Sequence, residues 1–250
     1  IHIAVVGKYF GTGDFTLADS YISVIEAIKH ASIYNNVHPV LDWVDSEDFE
    51  KKPAALKKLE KYDGIIVPGG FGHRGVEGII KAIEFARNKN IPYLGLCYGM
   101  QLATIEFMRN VVGKTEANTV EVDPNTKEPV IHISPVQQKN MRHNRYGGTM
   151  RLGAYDCVLE KDSKVFAAYG KIKISERHRH RYEFNNDYRE MMEKAGLKVV
   201  GVNPETNLVE IVELANHPFF VGTQFHPEFK SRPMNPHPLF RDFISAALKK

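Results

Sequence analysis

The sequence predicts an α/β fold: a mostly parallel, doubly wound sheet with helices on both faces and a few antiparallel strands. In the first half of the chain, short and almost continuously apolar strands alternate with helical patterns, as in parallel sheets that helices cover on both sides. In the second half, two short segments are predicted as antiparallel strands. With 250 residues, of which 43% are hydrophobic, the chain is long enough for one large domain with a sizeable core.

Apolar runs and the residues that interrupt them define the elements of the first half. Ser20 is predicted to cap a helix whose apolar residues, from Ile22 onward, have helical spacing. Pro53 suits the first turn of a short helix. One buried strand ends at Pro68-Gly69-Gly70. The predicted strands are residues 1–7, 37–43, 64–67 and 91–96, and a further helix covers residues 76–88.

The second half is predicted to contain longer loops. Residues 116–135 are polar and mixed, and residues 137–148 are rich in Gln, Asn, Arg and His, which is typical of long surface loops that carry function. Gly196 is predicted to terminate a helix. The remaining predicted elements are strands at 149–152, 155–159, 197–202, 208–214 and 219–225 and helices at 187–195 and 238–248. Because no repeat, low-complexity tract or linker divides the chain, we expect one domain over residues 1–250.

Composition and charge exclude several classes of protein. The formal net charge of +3 is too small by itself to indicate nucleic-acid binding. The two cysteines, Cys97 and Cys157, make no disulfide framework and favour a reducing, cytoplasmic location. No apolar run reaches membrane-spanning length and no signal peptide opens the chain, so no membrane association is expected. The chain starts without Met, inside a strand pattern, and we expect a piece of a longer protein, with a processed N-terminus as the alternative.

A cysteine lies where a buried strand turns directly into a helix. Gly95 and Gly99 flank Cys97 at two residues on either side, which is the spacing of a nucleophile elbow with Cys in place of Ser. The glycines leave room for a sharp, strained turn, and the helix N-terminus favours thiolate over thiol. The alternative is a buried core cysteine between two packing glycines.

A histidine and a carboxylate follow the last predicted strand. Pro227 favours extended geometry at His226, and residues two apart in an extended chain project to the same side. Glu228 is therefore placed to orient the imidazole and to stabilise its protonated form. The alternative is a turn with a solvated glutamate. Together with Cys97, these residues predict acyl transfer through a thioester.

Motifs along the whole chain carry a family resemblance. Pro68-Gly69-Gly70, residues 95–101 and residues 224–228 resemble the class I (triad) glutamine amidotransferases. Gly7-Lys8-Tyr9 and residues 69–75, 149–153, 177–182 and 225–233 are similar, more narrowly, to the C-terminal glutaminase domain of the CTP synthase family. Tyr98 departs from the Leu of many members, but its backbone N–H matters more than its side chain. Residues 15–18 resemble an insert relative to bacterial members.

The resemblance implies a role for each residue of the site. Cys97 attacks the side-chain amide of L-glutamine, His226 moves a proton to the leaving ammonia, and Glu228 orients His226. The backbone N–H groups of Gly70 and Tyr98 hold the oxyanion, in agreement with donors after the nucleophile and on a neighbouring loop.

The resemblance also implies a binding site for the rest of glutamine. Glu121 resembles the ligand of the α-amino group and Arg181 the ligand of the α-carboxylate, which a planar guanidinium can bind with two hydrogen bonds. Gln101 and the backbone of Tyr98, Gly99 and Met100 line the same pocket.

Partners and regulation follow from the resemblance alone. A synthetase domain of the same polypeptide is expected to aminate UTP with ATP and Mg²⁺. That domain is expected to be absent here, since no P-loop motif occurs. The intact enzyme is expected to be a homo-oligomer that GTP activates. Phe71 is expected to stack on a purine and Arg74 to reach a phosphate, with an exposed surface turn as the alternative. No cofactor or metal is expected in this domain.

The basic run at residues 177–182 has a rival interpretation as a nucleic-acid or metal site. Alternation in an extended segment divides its side chains between two faces, and His178 with His180 alone provides too few ligands for a typical metal site.

Other rival functions of the chain are a different triad amidotransferase, a γ-glutamyl hydrolase, and a catalytically silent regulatory module, which the complete triad disfavours.

Overall fold

A computed structural model of the protein describes residues 1–8, 11–12, 15–16, 21–133 and 150–250. The strands are β1 His2–Gly7, β2 Gly11–Thr12, β3 Phe15–Thr16, β4 Val40–Asp45, β5 Gly64–Val67, β6 Tyr93–Leu96, β7 Ala117–Thr119, β8 Glu128–Ile133, β9 Arg151–Leu159, β10 Lys173–His180, β11 Tyr182–Phe184, β12 Leu197–Val202, β13 Val209–Leu214 and β14 Phe220–Thr223. The α-helices are α1 Ile22–Tyr34, α2 Glu47–Lys51, α3 Val76–Asn88, α4 Tyr98–Asn110, α5 Lys164–Tyr169, α6 Arg189–Ala195 and α7 Pro238–Ala247. Short 3-10 helices cover Pro53–Lys61, Asn186–Tyr188 and Pro227–Lys230.

Nine strands form the central sheet, in the order β10-β9-β12-β13-β14-β6-β5-β1-β4. The half from β14 to β4 is parallel, and the half from β14 to β10 is antiparallel. The predicted α/β class is confirmed, with four parallel and four antiparallel pairings among the described strands of this sheet. The antiparallel share is larger because β9 pairs with β10, β12 with β13 and β13 with β14, and each of these pairs joins successive strands of this sheet, as antiparallel connections allow.

Helices cover both faces of this sheet. Side chains alternate along β1, so that Ala4 and Val6 join one apolar core while Ile3 and Val5 join the other. The first core contains apolar residues of α3 and α4, and the second contains those of α1 and α7. Every residue of β5 and β6 is buried, which explains their nearly continuous apolar sequences.

Several predicted elements were wrong. The predicted loop at 116–135 contains β7 and β8, which pair with β11 in a second, three-stranded sheet, so long-range pairing overrides the polar composition. Residues 151–159 of the two predicted strands 149–152 and 155–159 form the single strand β9, in which Gly153 has φ +96° and stays paired with His178. Helix α5 was not predicted, although Ser163 caps it and Gly170 ends it. The predictions for Ser20 and for residues 137–148 lie outside the described residues.

Among the described helices, none combines the length and the apolar character that a membrane crossing requires. The parallel half of the sheet instead decides where the site lies. Strands β1, β5, β6 and β14 are parallel neighbours, so the segments that follow them meet at one edge, where open α/β sheets bind ligands.

Candidate active site

A cleft of about 720 Å³ opens at the carboxyl edge of the parallel strands. Its walls carry the three predicted catalytic residues, Cys97, His226 and Glu228. They also carry five other residues of the predicted site, Gly70, Phe71, Gln101, Glu121 and Arg181. The fold therefore brings together residues that are as far apart in sequence as 70 and 228.

Cys97 occupies a strained turn between β6 and α4. Its backbone has φ +51° and ψ −95°, a conformation that costs a non-glycine residue about 1–3 kcal/mol. The Cys97 N–H donates to the carbonyl oxygen of Thr223 at 2.6 Å, which ties the turn to the end of β14. The predicted elbow is thus present, and the side chain is 6% exposed in the cleft.

Close backbone approaches explain the flanking glycines. A Cβ on Gly99 would lie 2.3 Å from the carbonyl oxygen of Val67 on β5. A Cβ on Gly95 would lie 2.7 Å from the carbonyl carbon of Gly99 and equally close to the hydroxyl of Tyr93. That hydroxyl donates to the Gly99 carbonyl at 2.9 Å. Any larger residue at 95 or 99 would therefore displace the turn that holds Cys97.

His226 and Glu228 form a buried pair close to Cys97. Nδ1 of His226 lies 2.7 Å from Oε1 of Glu228, the geometry that the His-Pro-Glu sequence predicts. The ring of Phe229 stacks on the imidazole at 5.0 Å between centroids. The backbone N–H of His226 donates to the carbonyl of Arg177 on β10 at 2.8 Å. Ring and backbone are therefore both fixed.

Neighbouring charges set the protonation state of His226. Burial by itself lowers the pKa of the imidazole, but the Cys97 sulfur and the Glu228 carboxylate together raise that pKa to about 11. The ring is then protonated at neutral pH, beside the Cys97 sulfur and the Glu228 carboxylate. Glu228 engages Nδ1, so the buried Nε2 atom, on the side of Cys97, is the nitrogen placed for proton transfer.

The end of β5 faces Cys97 and His226. A Cβ on Gly69 would lie 2.9 Å from Cε1 of His226 and 3.8 Å from Cβ of Cys97, so the backbone of residues 69–70 passes directly beside both groups. Tyr98 is the first residue of α4, and its N–H lies at the positive end of the helix dipole. Residues 70 and 98 thus border the nucleophile from two sides, and their use as oxyanion donors stays a prediction.

The cleft has an acidic wall, formed by Glu121, and a basic wall, formed by Arg181. Burial and the charge of Glu121 raise the pKa of the Tyr182 hydroxyl, whereas the Arg181 guanidinium opposes the shift. Tyr182 therefore lies close to both charged groups. A ligand with one amino and one carboxylate group would find a partner for each within the same cleft.

Of the remaining residues of the predicted pocket, one lines the cleft and two pack against the sheet. Gln101 lines the cleft and is 2% exposed. Met100 is fully buried, with its side chain against Gly222 on β14, and Gly99 packs on β5. Their predicted contribution is through the backbone and stays a prediction.

The loop after Gly70 is tied to the site through Gly72. The Gly72 carbonyl accepts hydrogen bonds from the Tyr98 hydroxyl at 2.7 Å and from Lys8 Nζ at 2.6 Å. The Gly72 N–H donates to Oε1 of Glu121 at 2.9 Å. Burial lowers the pKa of Lys8 to about 8. Movement of this loop would therefore disturb both the acidic wall and the first helical residue after the nucleophile.

The two predicted effector residues lie on the outer side of this loop. The Phe71 side chain is 67% exposed. Nε of Arg74 lies 3.0 Å from Oε1 of Glu47, and its Nη2 donates to the Lys8 carbonyl. A phosphate would have to compete with Glu47 for this guanidinium.

The basic run alternates between two faces, as predicted. His178 and His180 are buried, whereas Arg177 and Arg179 are exposed. Within the described part of the chain, no group of three or more His, Cys, Asp or Glu side chains could hold a metal ion. The buried face instead contacts Glu210 and Glu183.

Sequence reasoning assigned no role to two residues that contact the site. Gln224 donates from Nε2 to Sγ of Cys97 at 3.7 Å, and Lys8 supports Gly72. Both belong to motifs that carried the resemblance, and this was the available signal. Their contacts depend on the adjacency of β1, β5, β6 and β14, which no local pattern contains.

The family model "Glutamine amidotransferase class-I" matches residues 16–246, and the chain belongs to that family. Within it, the similarity is to CTP synthases. The glutaminase domain of Trypanosoma brucei CTPS with bound acivicin superposes with a TM-score of 0.92 and 42% identity, over 100% of this chain and 94% of that chain.

Two curated relatives extend the comparison. CTP synthase of Carboxydothermus hydrogenoformans is 55% identical over 100% of this chain and 45% of its own length. CTP synthase of Caldanaerobacter subterraneus subsp. tengcongensis is 53% identical over 99% of this chain and 44% of its own length. The chain therefore spans less than half the length of these relatives.

Proposed function

We propose that this chain hydrolyses L-glutamine to glutamate and ammonia through a thioester on Cys97. The observation that carries the proposal is a strained cysteine beside a protonated, carboxylate-bound histidine, in a cleft with acidic and basic walls. Glutamine has a carboxamide at one end and a zwitterion at the other, so it matches all three features. The class I amidotransferase family supports the same reaction.

In the first half-reaction, Sγ of Cys97 attacks the carboxamide carbon, and the carbonyl electron pair moves onto oxygen. The N–H groups of Gly70 and Tyr98 stabilise that oxyanion. As the C–N bond breaks, Nε2 of His226 gives its proton to nitrogen and ammonia leaves. Water then attacks the thioester, His226 takes a proton from that water, and the C–S bond breaks to release glutamate. Glu228 stabilises the imidazolium whenever it forms.

The remaining residues hold the substrate. Glu121 binds the α-amino group and Arg181 the α-carboxylate, with a bidentate pair at the guanidinium. Gln101 and the backbone of residues 98–100 complete the pocket. The placement of Tyr182 beside both charged groups supports this assignment.

A glutaminase assay on the purified chain tests the proposal. Treatment with an electrophilic glutamine analogue, followed by mass spectrometry of the peptides, should place the adduct on Cys97. Cys157 is an internal control, because it is fully buried and burial raises the pKa of its thiol. No glutamine hydrolysis, or an adduct on Cys157, would contradict the proposal.

The ammonia has a wider use in this proposal. A separate synthetase domain of the same polypeptide consumes it in the amination of UTP to CTP with ATP and Mg²⁺, in a cytoplasmic homo-oligomer. Relatives more than twice as long as this chain support such a domain, and no cofactor is assigned to the glutaminase part. The intact polypeptide should make CTP with either glutamine or ammonia, whereas a Cys97→Ala variant should use ammonia alone.

The loop at residues 70–75 is proposed to sense GTP bound where the two domains meet. Exposed Phe71 supports stacking on a purine, and the Gly72 contacts with Glu121 and Tyr98 connect the loop to the site. A GTP-dependent shift of this loop would couple the two sites. In the intact polypeptide, Phe71→Ala should blunt GTP activation while ammonia-dependent CTP synthesis continues. Normal GTP activation of that variant would exclude this role.

A further inference from the structure

Gln224 reaches the nucleophile from a position that the proposed mechanism leaves unused. The residue follows β14 and is fully buried. Its backbone N–H donates to the Glu210 carbonyl at 2.8 Å, and its side-chain Nε2 lies 3.7 Å from Sγ of Cys97. A buried amide therefore contacts the sulfur atom that the proposed mechanism uses as its nucleophile.

A chain of hydrogen bonds determines which end of this amide faces sulfur. The carbonyl of Tyr182 can only accept, so the nitrogen of Gln101 must face it, at 3.0 Å. The same nitrogen donates its second hydrogen to Oε1 of Gln224, at 3.2 Å. Oε1 of Gln224 is thereby engaged on that side. The NH₂ group of Gln224 must then point at Cys97. The backbone carbonyl of Tyr182 thus fixes which end of each side-chain amide is nitrogen and which is oxygen.

We propose that Gln224 is a further catalytic residue, which donates a hydrogen bond to the Cys97 thiolate. An amide N–H stabilises negative charge on sulfur but cannot transfer its proton at neutral pH, so it stabilises the thiolate without protonating it. The inference rests on the proposed function only for its kinetic consequence.

The hydrogen bond acts at both ends of the reaction. Before attack, it orients the sulfur charge together with His226. During hydrolysis of the thioester, the C–S bond breaks and its electron pair returns to sulfur, where the N–H of Gln224 stabilises the leaving thiolate. Between these steps, the thioester sulfur carries little charge and the hydrogen bond weakens. A donor of this kind stabilises charge where it develops, as electrostatic catalysis requires.

The pH dependence of Cys97 alkylation by iodoacetamide tests the proposal without any need for turnover. In Gln224→Met, which has similar volume but no donor, the pH of half-maximal alkylation rate should rise by about one unit, since a hydrogen bond to a charged acceptor contributes roughly that much. The rate well below the midpoint should fall about tenfold. Gln224→Glu, which is nearly isosteric and places a carboxylate by the sulfur, should shift the midpoint in the same direction and further.

Thr223→Val is the matched control. The neighbouring Thr223 is also fully buried, and its hydroxyl donates to the Phe225 carbonyl at 3.0 Å, so this variant loses a hydrogen bond of the same segment but none to sulfur. Its alkylation midpoint should equal that of the parent chain. An unchanged midpoint in both Gln224 variants would overturn the proposal, as would an equal shift in Thr223→Val.

Glutaminase kinetics then separate this role from substrate binding. Gln224→Met should lower kcat with little change in KM for glutamine. A raised KM with unchanged kcat would overturn the proposal, because it would make Gln224 a binding residue. If the chain does not hydrolyse glutamine, the proposed function fails, whereas the alkylation result still decides the hydrogen bond to sulfur.

Discussion

Two buried clusters of histidine and carboxylate lie near each other in this molecule and behave in opposite ways. In the proposed catalytic pair, Nδ1 of His226 is 2.7 Å from Glu228 and the pKa of the imidazole rises to about 11. The second cluster, named here the Arg151 cluster, consists of Arg151, His178, His180, Glu183 and Glu210. Its His178 has Nε2 3.5 Å from Oε2 of Glu210, yet burial and then Arg151 lower the pKa of that imidazole to about 2.

A fixed cation accounts for the difference. Nη2 of Arg151 lies 2.6 Å from Glu210 and its Nη1 lies 3.4 Å from Glu183. Burial raises the pKa of Glu183 to about 8, so the guanidinium already balances the remaining carboxylate, Glu210. Nothing then offsets the cost of charging His178. At His226, by contrast, Cys97 and Glu228 both raise the pKa of the imidazole. A carboxylate partner alone therefore does not identify a charged histidine; the charge balance around it does.

Removal of the nucleophile should have the largest effect on the catalytic pair. We expect Cys97→Ala to lose ~10³-fold or more of glutamine turnover, as other nucleophile deletions do. The variant also removes one of the two anions that raise the pKa of His226, so NMR titration should find a lower imidazole pKa. Cys157→Ala is the control and should keep most activity. Turnover within tenfold of the parent chain would show that Cys97 is not the nucleophile.

Removal of the fixed cation should break the Arg151 cluster. Arg151→Met leaves the buried Glu210 carboxylate without its cation and should lower the free energy of unfolding by about 3–5 kcal/mol, measured by urea denaturation at pH 7. The loss should shrink towards pH 5, because burial raises the pKa of Glu210 and a carboxyl group without its cation is protonated more easily. Arg87→Met is the matched control, because Arg87 pairs with buried Glu106 at 2.7 Å. An equal loss at both pH values would contradict the charge-balance account.

The arginine in the cleft should behave differently from Arg151. We expect Arg181→Ala to raise KM for glutamine by roughly tenfold or more with a much smaller change in kcat, because it removes binding that ground state and transition state share. Its free energy of unfolding should stay near that of the parent chain, since Arg181 is only partly buried. A collapse of kcat with unchanged KM would place Arg181 in chemistry or folding instead.

The two histidines should make opposite contributions to stability as pH changes. His178 has a folded pKa below the unfolded value of about 6.5, so its contribution is lost as pH falls from 6.5 towards 2. His226 has a folded pKa above that value, so its contribution is present below pH 6.5 and is lost as pH rises towards 11. His178→Gln should flatten the acid side of the stability profile and His226→Gln the alkaline side, each by at most about 1.4 kcal/mol per pH unit. Urea denaturation at pH 5, 7 and 9 measures both; the same sign for both variants would refute the comparison.

The sequence by itself determined those features of the protein that depend on neighbouring residues. Strand β5 and helix α3 have the predicted bounds, because apolar period and turn residues act over a few positions. The elbow around Cys97 and the His226–Glu228 contact are equally local, since backbone stereochemistry limits what Gly-x-Cys-x-Gly and His-Pro-Glu can adopt.

Only the tertiary structure decided what depends on distant residues. Strand β9 continues through Gly153 because β10 pairs with it along its length. Gln224 meets Cys97 because β14 lies parallel to β6, although more than a hundred residues separate them. His178 and His226 each have a glutamate close by, and Arg151 decides which of them is charged. Strand pairing, desolvation and Coulomb interactions act through space, so no local pattern contains their outcome.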